Sequence, residues 1–334
     1  MTETVTIGLD EAVALCRTAA MRGGASPATA EALANASVAA ERDGQPSVGM
    51  AHFLDYLEAL KAGRIEGAAE PELSRPAGAI ILSDAKGGAA HLGFDRAFGD
   101  LVQTGRQFGL AAFAQRNAYT CGALGYFAGR VAEAGLVALA ATNGPALLAG
   151  SGSTRPVFCT NPLAFAAPVA GAAPLVIDQA SSATAFVNIR KAARDGRAIP
   201  EGWAIDANGQ PTTDAQAAMK GALLAFGGAR GANIALMVEV LAAGLGGTNW
   251  SLDAPSFTSG AENPGSGLFV LAIEPKLFDP DFPERMAKQV KRLSDEYGVH
   301  IPGIAKGAAR ETAAKHGLTL ARELHDRIAG WPGR

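Results

Sequence analysis

Short apolar runs bounded by Gly, Pro or Asn fill the middle of the chain and constrain the fold more than any other feature. Runs of this length are typical of buried β-strands. They occupy residues 79–82, 110–114, 136–141, 163–166, 175–177 and 268–273. Helical patterns at 95–108 and 123–134 separate several of them, so the sequence predicts an α/β domain around one sheet. An almost wholly apolar helix at 232–243 is expected to be buried.

Both ends of the chain have helical periodicity instead. A first helix is predicted to end at Gly23-Gly24, and Ser26-Pro27 then supplies an N-cap and a first-turn proline for a second helix that reaches about residue 43. A third helix is predicted over 47–62, where positions 48, 52 and 56 would lie a turn apart on one face.

Further helices are expected near the C-terminus, at 282–293, 308–316 and 321–329. We therefore predict a helical N-terminal segment (1–75), a central α/β domain (76–280) and a helical C-terminal segment (281–334). The two helical segments are expected to pack together.

Composition narrows the class of partner. The 334 residues are 48% hydrophobic, which is enough to bury a sizeable core. The 29 Lys and Arg residues nearly balance the 32 Asp and Glu residues, and no basic block stands out, so we expect no nucleic-acid or membrane partner and favour small diffusing molecules. The first ten residues do not resemble a signal peptide, and no run approaches about 18 apolar residues, so a soluble cytoplasmic protein is expected.

The cysteines and histidines are too scattered to form a local metal motif. The three cysteines, at positions 16, 121 and 159, are expected to be plain thiols. The five histidines, at positions 52, 91, 300, 316 and 325, are equally dispersed. We therefore expect no metal site.

The common enzyme motifs are missing from the sequence. The nearest approach to the dinucleotide-binding G-x-G-x-x-G motif is the run from Gly150 to Arg155, which ends in Arg and precedes no helical pattern. The phosphate loop, the zinc-binding H-E-x-x-H helix and the G-x-S-x-G nucleophile elbow do not occur either. These patterns alone indicate a soluble α/β protein with several Gly-rich loops.

Eight stretches, taken in order, resemble the malate/L-lactate dehydrogenase family of the second type, which is separate from the Rossmann lactate dehydrogenases. They are Ser47-Val48-Gly49 with Tyr56, then 122–126, 159–168, 178–182, 199–206, 213–214, 227–231 and 302–303. The family includes Δ1-pyrroline-2-carboxylate/Δ1-piperideine-2-carboxylate reductases as well as ureidoglycolate and sulfolactate dehydrogenases. The resemblance implies a non-Rossmann α/β (α+β) fold, in which a central mixed sheet forms a nicotinamide-binding domain between helical terminal segments, and a homodimer.

The resemblance also implies where the acid–base residues lie, and this chain departs from the family there. Similar family members have Ser-His-Gly, with the His as proton donor, and an Arg four residues after that His. Here Ser47 is kept, the proton-donor position is Val48 and the Arg position is His52. A second family His corresponds to Thr120, and an acidic partner corresponds to Asn188.

Two interpretations of His52 stay open. In one, His52 takes over as the acid or as a contact for the substrate carboxylate; in the other, it only packs at the helix surface. The candidate catalytic residues are Ser47, His52 and Asn188, and the candidate substrate-binding residues are Val48, His52, Tyr56, Thr120 and Thr160. Thr160 and Asn161 either bond the substrate or nicotinamide amide or form a capped turn before Pro162.

The cofactor implied by the resemblance is NADP or NAD, with NADP favoured. Its candidate contacts are Thr120, Cys121, Gly122, Ala123, Asp178, Gln179, Ala180, Ala229, Arg230, Ile304, Ala305 and Lys306. Arg230 and Lys306 have the charge to pair with phosphates, although Arg230 could also be a surface charge at a helix start and Asp178 could instead form a turn.

We therefore expect an NAD(P)H-dependent oxidoreductase that transfers a hydride to C2 of a small 2-imino or 2-oxo acid. An imine is favoured because a cyclic 2-imino acid can arrive already protonated on nitrogen. The loss of the family's proton donor would then lower the rate of reduction less than it would for a 2-oxo acid. The alternatives are a malate/lactate-type 2-hydroxy-acid dehydrogenase and a homologue that binds a dinucleotide or small acid without turnover.

Overall fold

The computed structural model describes residues 3–333, and within them the strands form three sheets. The strands are β1 (Thr4–Ile7), β2 (Glu72–Ala77), β3 (Ile80–Asp84), β4 (Leu110–Ala118), β5 (Val137–Thr142), β6 (Leu148–Ala149), β7 (Pro156–Phe158), β8 (Leu163–Ala167), β9 (Leu175–Gln179), β10 (Ala204–Ile205), β11 (Pro211–Thr212), β12 (Ala222–Leu223), β13 (Ser266–Ile273) and β14 (Leu318–Ala321).

Helices cover much of the rest of the described chain. They are α1 (Leu9–Arg22), α2 (Pro27–Arg42), α3 (Met50–Lys61), α4 (Ala90–Phe108), α5 (Leu124–Glu133), α6 (Phe186–Arg194), α7 (Ala215–Ala218), α8 (Ala229–Glu239), α9 (Phe282–Asp295), α10 (Ile304–His316) and α11 (Arg322–Ala329). A π-helical stretch, Val240–Gly244, continues α8. No helix within residues 3–333 is long and apolar enough to cross a membrane.

Seven strands form the central mixed sheet, in the order β2-β3-β4-β13-β5-β8-β9. Only the β3–β4 pair is parallel. Alternate residues of β4 point to opposite faces, so Ala111 and Phe113 pack with α4 and α5 while Ala112 and Ala114 pack on the side of α8. The mixed α/β fold and the six strands predicted from apolar runs are therefore confirmed.

The two ends of the chain share one core. β1 pairs antiparallel with β14, and the buried cluster around Phe53 and Leu57 includes Leu320 and Trp331. Because these side chains lie so far apart in sequence, no local pattern predicts their contact. The segment boundaries at 75/76 and 280/281 stay a prediction.

Three sequence predictions about elements need correction. The centre holds not one sheet but two, because five strands of two or three residues form a second one in the order β11-β10-β12-β6-β7. The Gly150–Arg155 run forms the turn between β6 and β7. Strands this short have no readable periodicity.

The apolar helix at 232–243 is not buried all round. Ala232, Ala235 and Val238 face the interior, but Leu236 and Met237 are 52% and 41% exposed. Only one stripe of a helix can touch the sheet, and here that stripe consists mostly of alanine.

The third helix begins at Met50 rather than at Ser47. Glu41 of α2 accepts a hydrogen bond from the Met50 N–H (2.8 Å), which caps α3 from a neighbouring helix. A Cβ on Gly49 would lie 2.9 Å from the Glu41 backbone nitrogen, so this close approach requires glycine. Val48 lies in the preceding turn, and the prediction that it shares a helix face with positions 52 and 56 is wrong.

Candidate functional site

A cluster of aromatic and imidazole rings links α3 to α4. The ring centroids of His52 and Tyr56 are 4.8 Å apart, and those of Tyr56 and His91 are 5.8 Å apart. His52 Nε2 and His91 Nδ1 are buried without a hydrogen-bond partner, and the buried Tyr56 hydroxyl has no bond of normal geometry although Thr120 lies beside it. Buried polar atoms are rarely left unpaired, so this concentration marks a candidate functional site.

The loop between β4 and α5 lies directly on this cluster. Gly122 has a φ of +62°, and a Cβ there would lie 2.7 Å from the Tyr56 hydroxyl and 3.7 Å from His52 Cδ2. Both the left-handed backbone and the close approach therefore require glycine. The sequence-predicted residues Thr120, Cys121 and Gly122 are thus brought to His52 and Tyr56.

His52 is held by a carboxylate on its own helix. Its Nδ1 lies 2.9 Å from Asp55 Oδ2, and the Arg190 guanidinium of α6 lies 3.9 Å from the same oxygen. Burial alone would raise the pKa of Asp55, but the hydrogen bond and charge of His52, together with Arg190 and Arg327, outweigh it and lower that pKa. An ionised Asp55 therefore accepts from His52 Nδ1 and leaves Nε2 on the side of Gly122.

His91 is a fully buried histidine at the back of the cluster. Burial lowers the pKa of His91 to about 3, and its hydrogen bond to the Cys121 backbone offsets this only in part. Nearby charges of His52 and Arg130 lower it further. His91 is therefore neutral at physiological pH.

This burial predicts an acid-sensitive fold. Because the folded-state pKa lies below the value of about 6.5 in unfolded chains, protons bind the unfolded chain first. The free energy of unfolding contributed by His91 is fully present above about pH 6.5 and is lost toward pH 3, at up to about 1.4 kcal/mol per pH unit. Urea unfolding at several pH values gives the free energy of unfolding as a function of pH. We expect its decrease between pH 6.5 and pH 3 to be smaller in His91→Phe than in the wild type, and the same decrease in both proteins would contradict this prediction.

Asp178, at the end of β9, anchors the start of α5. Its Oδ2 accepts a hydrogen bond from the Gly125 N–H at 2.7 Å. Burial raises the pKa of Asp178, opposed by this bond and by the charge of Lys306. The carboxylate therefore ties β9 to α5 and does not form the local turn that the sequence left open.

Two clefts flank the end of β9. The first, the α10 cleft, has a volume of about 360 Å³, lies between α2, α5 and α10 and is lined by residues that include Ala123, Gly125, Val176, Lys306 and Arg310. The other, of about 380 Å³, is lined by Gln179, Ala180, Ser182, Thr184, Ala185 and Phe226. Five sequence-predicted cofactor contacts therefore lie at or between the clefts. Ala123 and Lys306 line the α10 cleft, Gln179 and Ala180 line the second, and Asp178 lies on β9 between them.

The α10 cleft has features that fit a nucleotide phosphate. The N-terminus of α5 is tied to Asp178, and the residue before α10, Gly303, packs so closely on β9 that a Cβ would lie 2.6 Å from the Pro174 carbonyl oxygen. Both helix N-termini therefore lie beside this strand. The α5 end already binds the Asp178 carboxylate, so the start of α10 is the end that favours an added anion. Lys306 adds a positive charge in the first turn of α10.

Other predicted site residues lie outside this arrangement. Ser47 is exposed in the turn before α3, and Val48 is half-buried there. Asn188 is exposed at the start of α6, where its side-chain N–H donates to Thr184 Oγ1 at 3.0 Å. Thr160 is half-buried, and its backbone carbonyl accepts from Ser181.

The remaining predicted cofactor contacts are exposed. Ala229 and Arg230 lie in the first turn of α8, and Ile304 and Ala305 lie in the first turn of α10. Neither cleft is lined by Arg230. The roles proposed for these residues stay predictions.

Sequence reasoning missed Asp55, Arg190 and His91. Asp55 follows His52 by three residues, a spacing that signals a side-chain pair on a helix. For Arg190 and His91 no local signal exists, because other helices bring them to α3.

Comparisons with known proteins identify the family of the chain. The family model for malate/L-lactate dehydrogenase matches residues 7–329. A Δ1-pyrroline-2-carboxylate reductase of Pseudomonas fluorescens is 37% identical and covers 99% of both chains. A (2R)-3-sulfolactate dehydrogenase (NADP+) of Chromohalobacter salexigens is 37% identical over 97% of both chains.

A solved structure is also similar over nearly the whole length. The crystal structure of Δ1-piperideine-2-carboxylate reductase from Pseudomonas syringae pv. tomato superposes with a TM-score of 0.94 at 34% identity, covering 98% of this chain and 99% of that one. The chain therefore belongs to the malate/L-lactate dehydrogenase family and is an oxidoreductase.

Proposed function

We propose that this oxidoreductase is an NAD(P)H-dependent reductase of a small cyclic 2-imino acid, of the Δ1-pyrroline-2-carboxylate or Δ1-piperideine-2-carboxylate type. Three observations support the substrate class: the relative from Pseudomonas fluorescens, the structure from Pseudomonas syringae, and the replacement of the family's proton donor by Val48. The single observation that carries the proposal is the His52–Asp55 pair beside the Gly122 loop, in an otherwise family-like fold.

An imine substrate suits a site in which Val48 stands at the family's proton-donor position and His52 is the candidate acid. A bound reduced nicotinamide supplies the hydride, which forms a new C–H bond at C2 as the C=N π-bond opens onto nitrogen. The nitrogen needs one proton, which either arrives with a protonated imine or comes from His52 Nε2. A 2-oxo acid cannot arrive protonated, so it depends fully on the protein acid.

The residues that would hold the nicotinamide cofactor lie on both sides of β9. We infer that the Thr120–Ala123 loop and the Asp178–Ala180 strand end bound its nicotinamide half, and that Lys306 with the start of α10 faces a phosphate. Gly122 and Gly125 allow this loop and the start of α5 to pack closely against Tyr56 and Asp178.

A panel of substrates tests the proposed reaction. We expect oxidation of NADPH with Δ1-pyrroline-2-carboxylate or Δ1-piperideine-2-carboxylate and much slower oxidation with pyruvate or oxaloacetate. Good turnover of 2-oxo acids without imine turnover would overturn the imine proposal and favour the second candidate, a 2-hydroxy-acid dehydrogenase. The sulfolactate dehydrogenase relative specifically favours that second candidate. Nucleotide binding without any turnover would instead indicate a non-catalytic homologue.

NADPH is the proposed coenzyme, because cationic residues line the α10 cleft and one relative is named for NADP+. These cations are Arg42, Arg130, Lys306 and Arg310. Arg310 is already paired with Asp43 and Glu133, so Lys306 is the better candidate for a phosphate contact.

Lys306→Ala is expected to raise the KM for NADPH about tenfold, the loss of roughly one charge-assisted hydrogen bond. The kcat at saturating NADPH should change little, because the residue lies away from the ring cluster. Steady-state kinetics measures both, and Lys315→Ala at the other end of α10 is the control. An unchanged KM in Lys306→Ala would remove this residue from the coenzyme site.

We further propose a cytoplasmic homodimer. The three cysteines are free and buried, as in a reducing compartment. The apolar face of α8 and the loop after it is exposed and suits a second copy of the chain; it comprises Leu236, Met237, Val240, Leu245, Trp250 and Leu252. Light scattering should give twice the chain mass of 34.0 kDa, and a monomer would contradict the dimer.

A further inference from the structure

We propose that Asp55 is a positioning residue that orients and electrostatically supports His52 as the proton donor, an inference that rests on the proposed reductase function. Asp55 does not reach the cluster of buried polar atoms itself. It would act only through the imidazole.

The geometry of the His52–Asp55 pair determines which imidazole nitrogen can exchange a proton with the substrate. Asp55 Oδ2 lies 2.9 Å from His52 Nδ1, three residues earlier on α3. A carboxylate only accepts hydrogen bonds, so Nδ1 carries the hydrogen and Nε2 becomes the nitrogen that exchanges a proton. The Nε2 edge of the ring faces Gly122, because Cδ2 lies 3.7 Å from the point where a Cβ on Gly122 would be.

The burial of Nε2 points to a ligand-facing role. The atom is shielded from solvent and has no hydrogen-bond partner, whereas the His52 side chain as a whole is 21% exposed. A histidine that merely packed at the helix surface would have Nε2 in water. Its ring instead joins the Tyr56 ring beside the Thr120–Gly122 loop.

Charges from several elements surround the pair. The titratable groups that face it are Tyr56 on α3, His91 on α4, Tyr119 after β4, Arg190 on α6 and Arg327 on α11. Arg190 and Arg327 act on the Asp55 carboxylate, and His91 is neutral. Asp55 is therefore the carboxylate that balances an imidazolium at this position.

The proton step balances without another reactant. The imidazolium gives its Nε2 proton to the substrate nitrogen as the C=N electron pair moves onto that nitrogen. His52 is left as a neutral imidazole with Nδ1–H still bonded to Asp55. Once the product has left, Nε2 regains a proton from solvent before the next turnover.

Two substitutions separate orientation from charge. Asp55→Asn keeps an oxygen acceptor for Nδ1–H but removes the negative charge, and Asp55→Ala removes both. We expect kcat with Δ1-pyrroline-2-carboxylate to fall about tenfold in Asp55→Asn and about a hundredfold in Asp55→Ala, with a small change in KM for NADPH. The falling, high-pH limb of kcat/KM should move to lower pH in Asp55→Asn, because the imidazolium has lost its counter-charge.

A matched control and a rescue complete the test. Asp326→Asn removes the negative charge from the 2.8 Å pair with His325 on α11, outside the site, and should leave kinetics and pH profile unchanged. Because the Asp55 side chain is 42% exposed, formate should enter the space left in Asp55→Ala and restore part of kcat. A merely structural role for Asp55 predicts neither the shifted limb nor the rescue.

The outcomes distinguish this proposal from the proposed function. Wild-type kcat and an unshifted pH profile in both Asp55 variants would overturn the positioning role while leaving the reductase intact. A wild-type protein that reduces no imine would overturn the function itself. Loss of activity in Asp55→Ala without formate rescue, combined with a wild-type profile in Asp55→Asn, would also count against the pair.

Discussion

His52→Ala is expected to lower kcat/KM for Δ1-pyrroline-2-carboxylate about a hundredfold at neutral pH, since a positioned general acid typically contributes that much or more. The loss should shrink as the pH falls, because an imine that is protonated in solution needs no acid from the protein. With a 2-oxo acid the full loss should remain at every pH. Initial rates of NADPH oxidation, measured across the pH range with both substrates, test this contrast.

The control for this prediction is His316→Ala. His316 is exposed at the C-terminal end of α10, far from the α3 ring cluster in the fold, and its loss should leave the rates unchanged. Titration of NADPH fluorescence should give similar affinities for both variants and the wild type. Wild-type turnover in His52→Ala would remove His52 from the mechanism.

Glu239→Ala is expected to lower the free energy of unfolding by about 3–5 kcal/mol, as for a buried charge whose hydrogen-bonded network is broken. Glu239 is 3% exposed. Its carboxylate accepts hydrogen bonds from the Asn161 side chain (2.6 Å), the Ser251 N–H (2.6 Å) and the Ser251 hydroxyl (2.8 Å). Removing it leaves three buried donors without an acceptor.

Urea unfolding measures this effect against two comparison variants. Glu239→Gln keeps one oxygen acceptor but places an N–H group against donors, so it should be destabilised by an intermediate amount. Glu201→Ala, on the surface, should unfold like the wild type. An unfolding midpoint for Glu239→Ala equal to that of the wild type would contradict the role of the network.

The same network includes the side chain of Asn161. Asn161 is fully buried with a φ of +35°, and its side-chain N–H also donates to the Ala235 carbonyl at 2.8 Å. The sequence left open whether Asn161 contacts a ligand or stabilises a turn. Its N–H groups are used inside the protein, whereas its Oδ1 is buried without a hydrogen-bond partner. A ligand contact through Oδ1 therefore stays a prediction, as does the substrate-binding role of Thr160.

Sequence patterns correctly predicted the secondary-structure elements that are determined by residues close together in the sequence. The central strands follow from apolar runs, and α2 begins where Ser26 and Pro27 predict, with the Ser26 hydroxyl accepting from the Thr29 N–H. The start of α3 was misplaced because its cap comes from Glu41 on another helix. No window of sequence contains such a contact.

The candidate site likewise combines residues that the sequence indicated with contacts that it could not predict. The resemblance indicated the Thr120–Ala123 loop and Asp178–Ala180, and the fold brings both to the start of α5. It also drew attention to His52, but the ion pair with Asp55 depends on side-chain rotamers, and the approach of Arg190 depends on how α6 packs on α3. Packing between distant segments, rather than local propensity, completes the site.

The central claim is that the protein delivers a hydride to C2 of a cyclic 2-imino acid. Incubation of the protein with Δ1-pyrroline-2-carboxylate and NADPH deuterated at the transferable C4 position, followed by mass spectrometry of the product, tests it most directly. The account predicts proline carrying one deuterium at C2. Failure to form proline, while a 2-oxo acid is reduced and labelled at C2 under the same conditions, would contradict it.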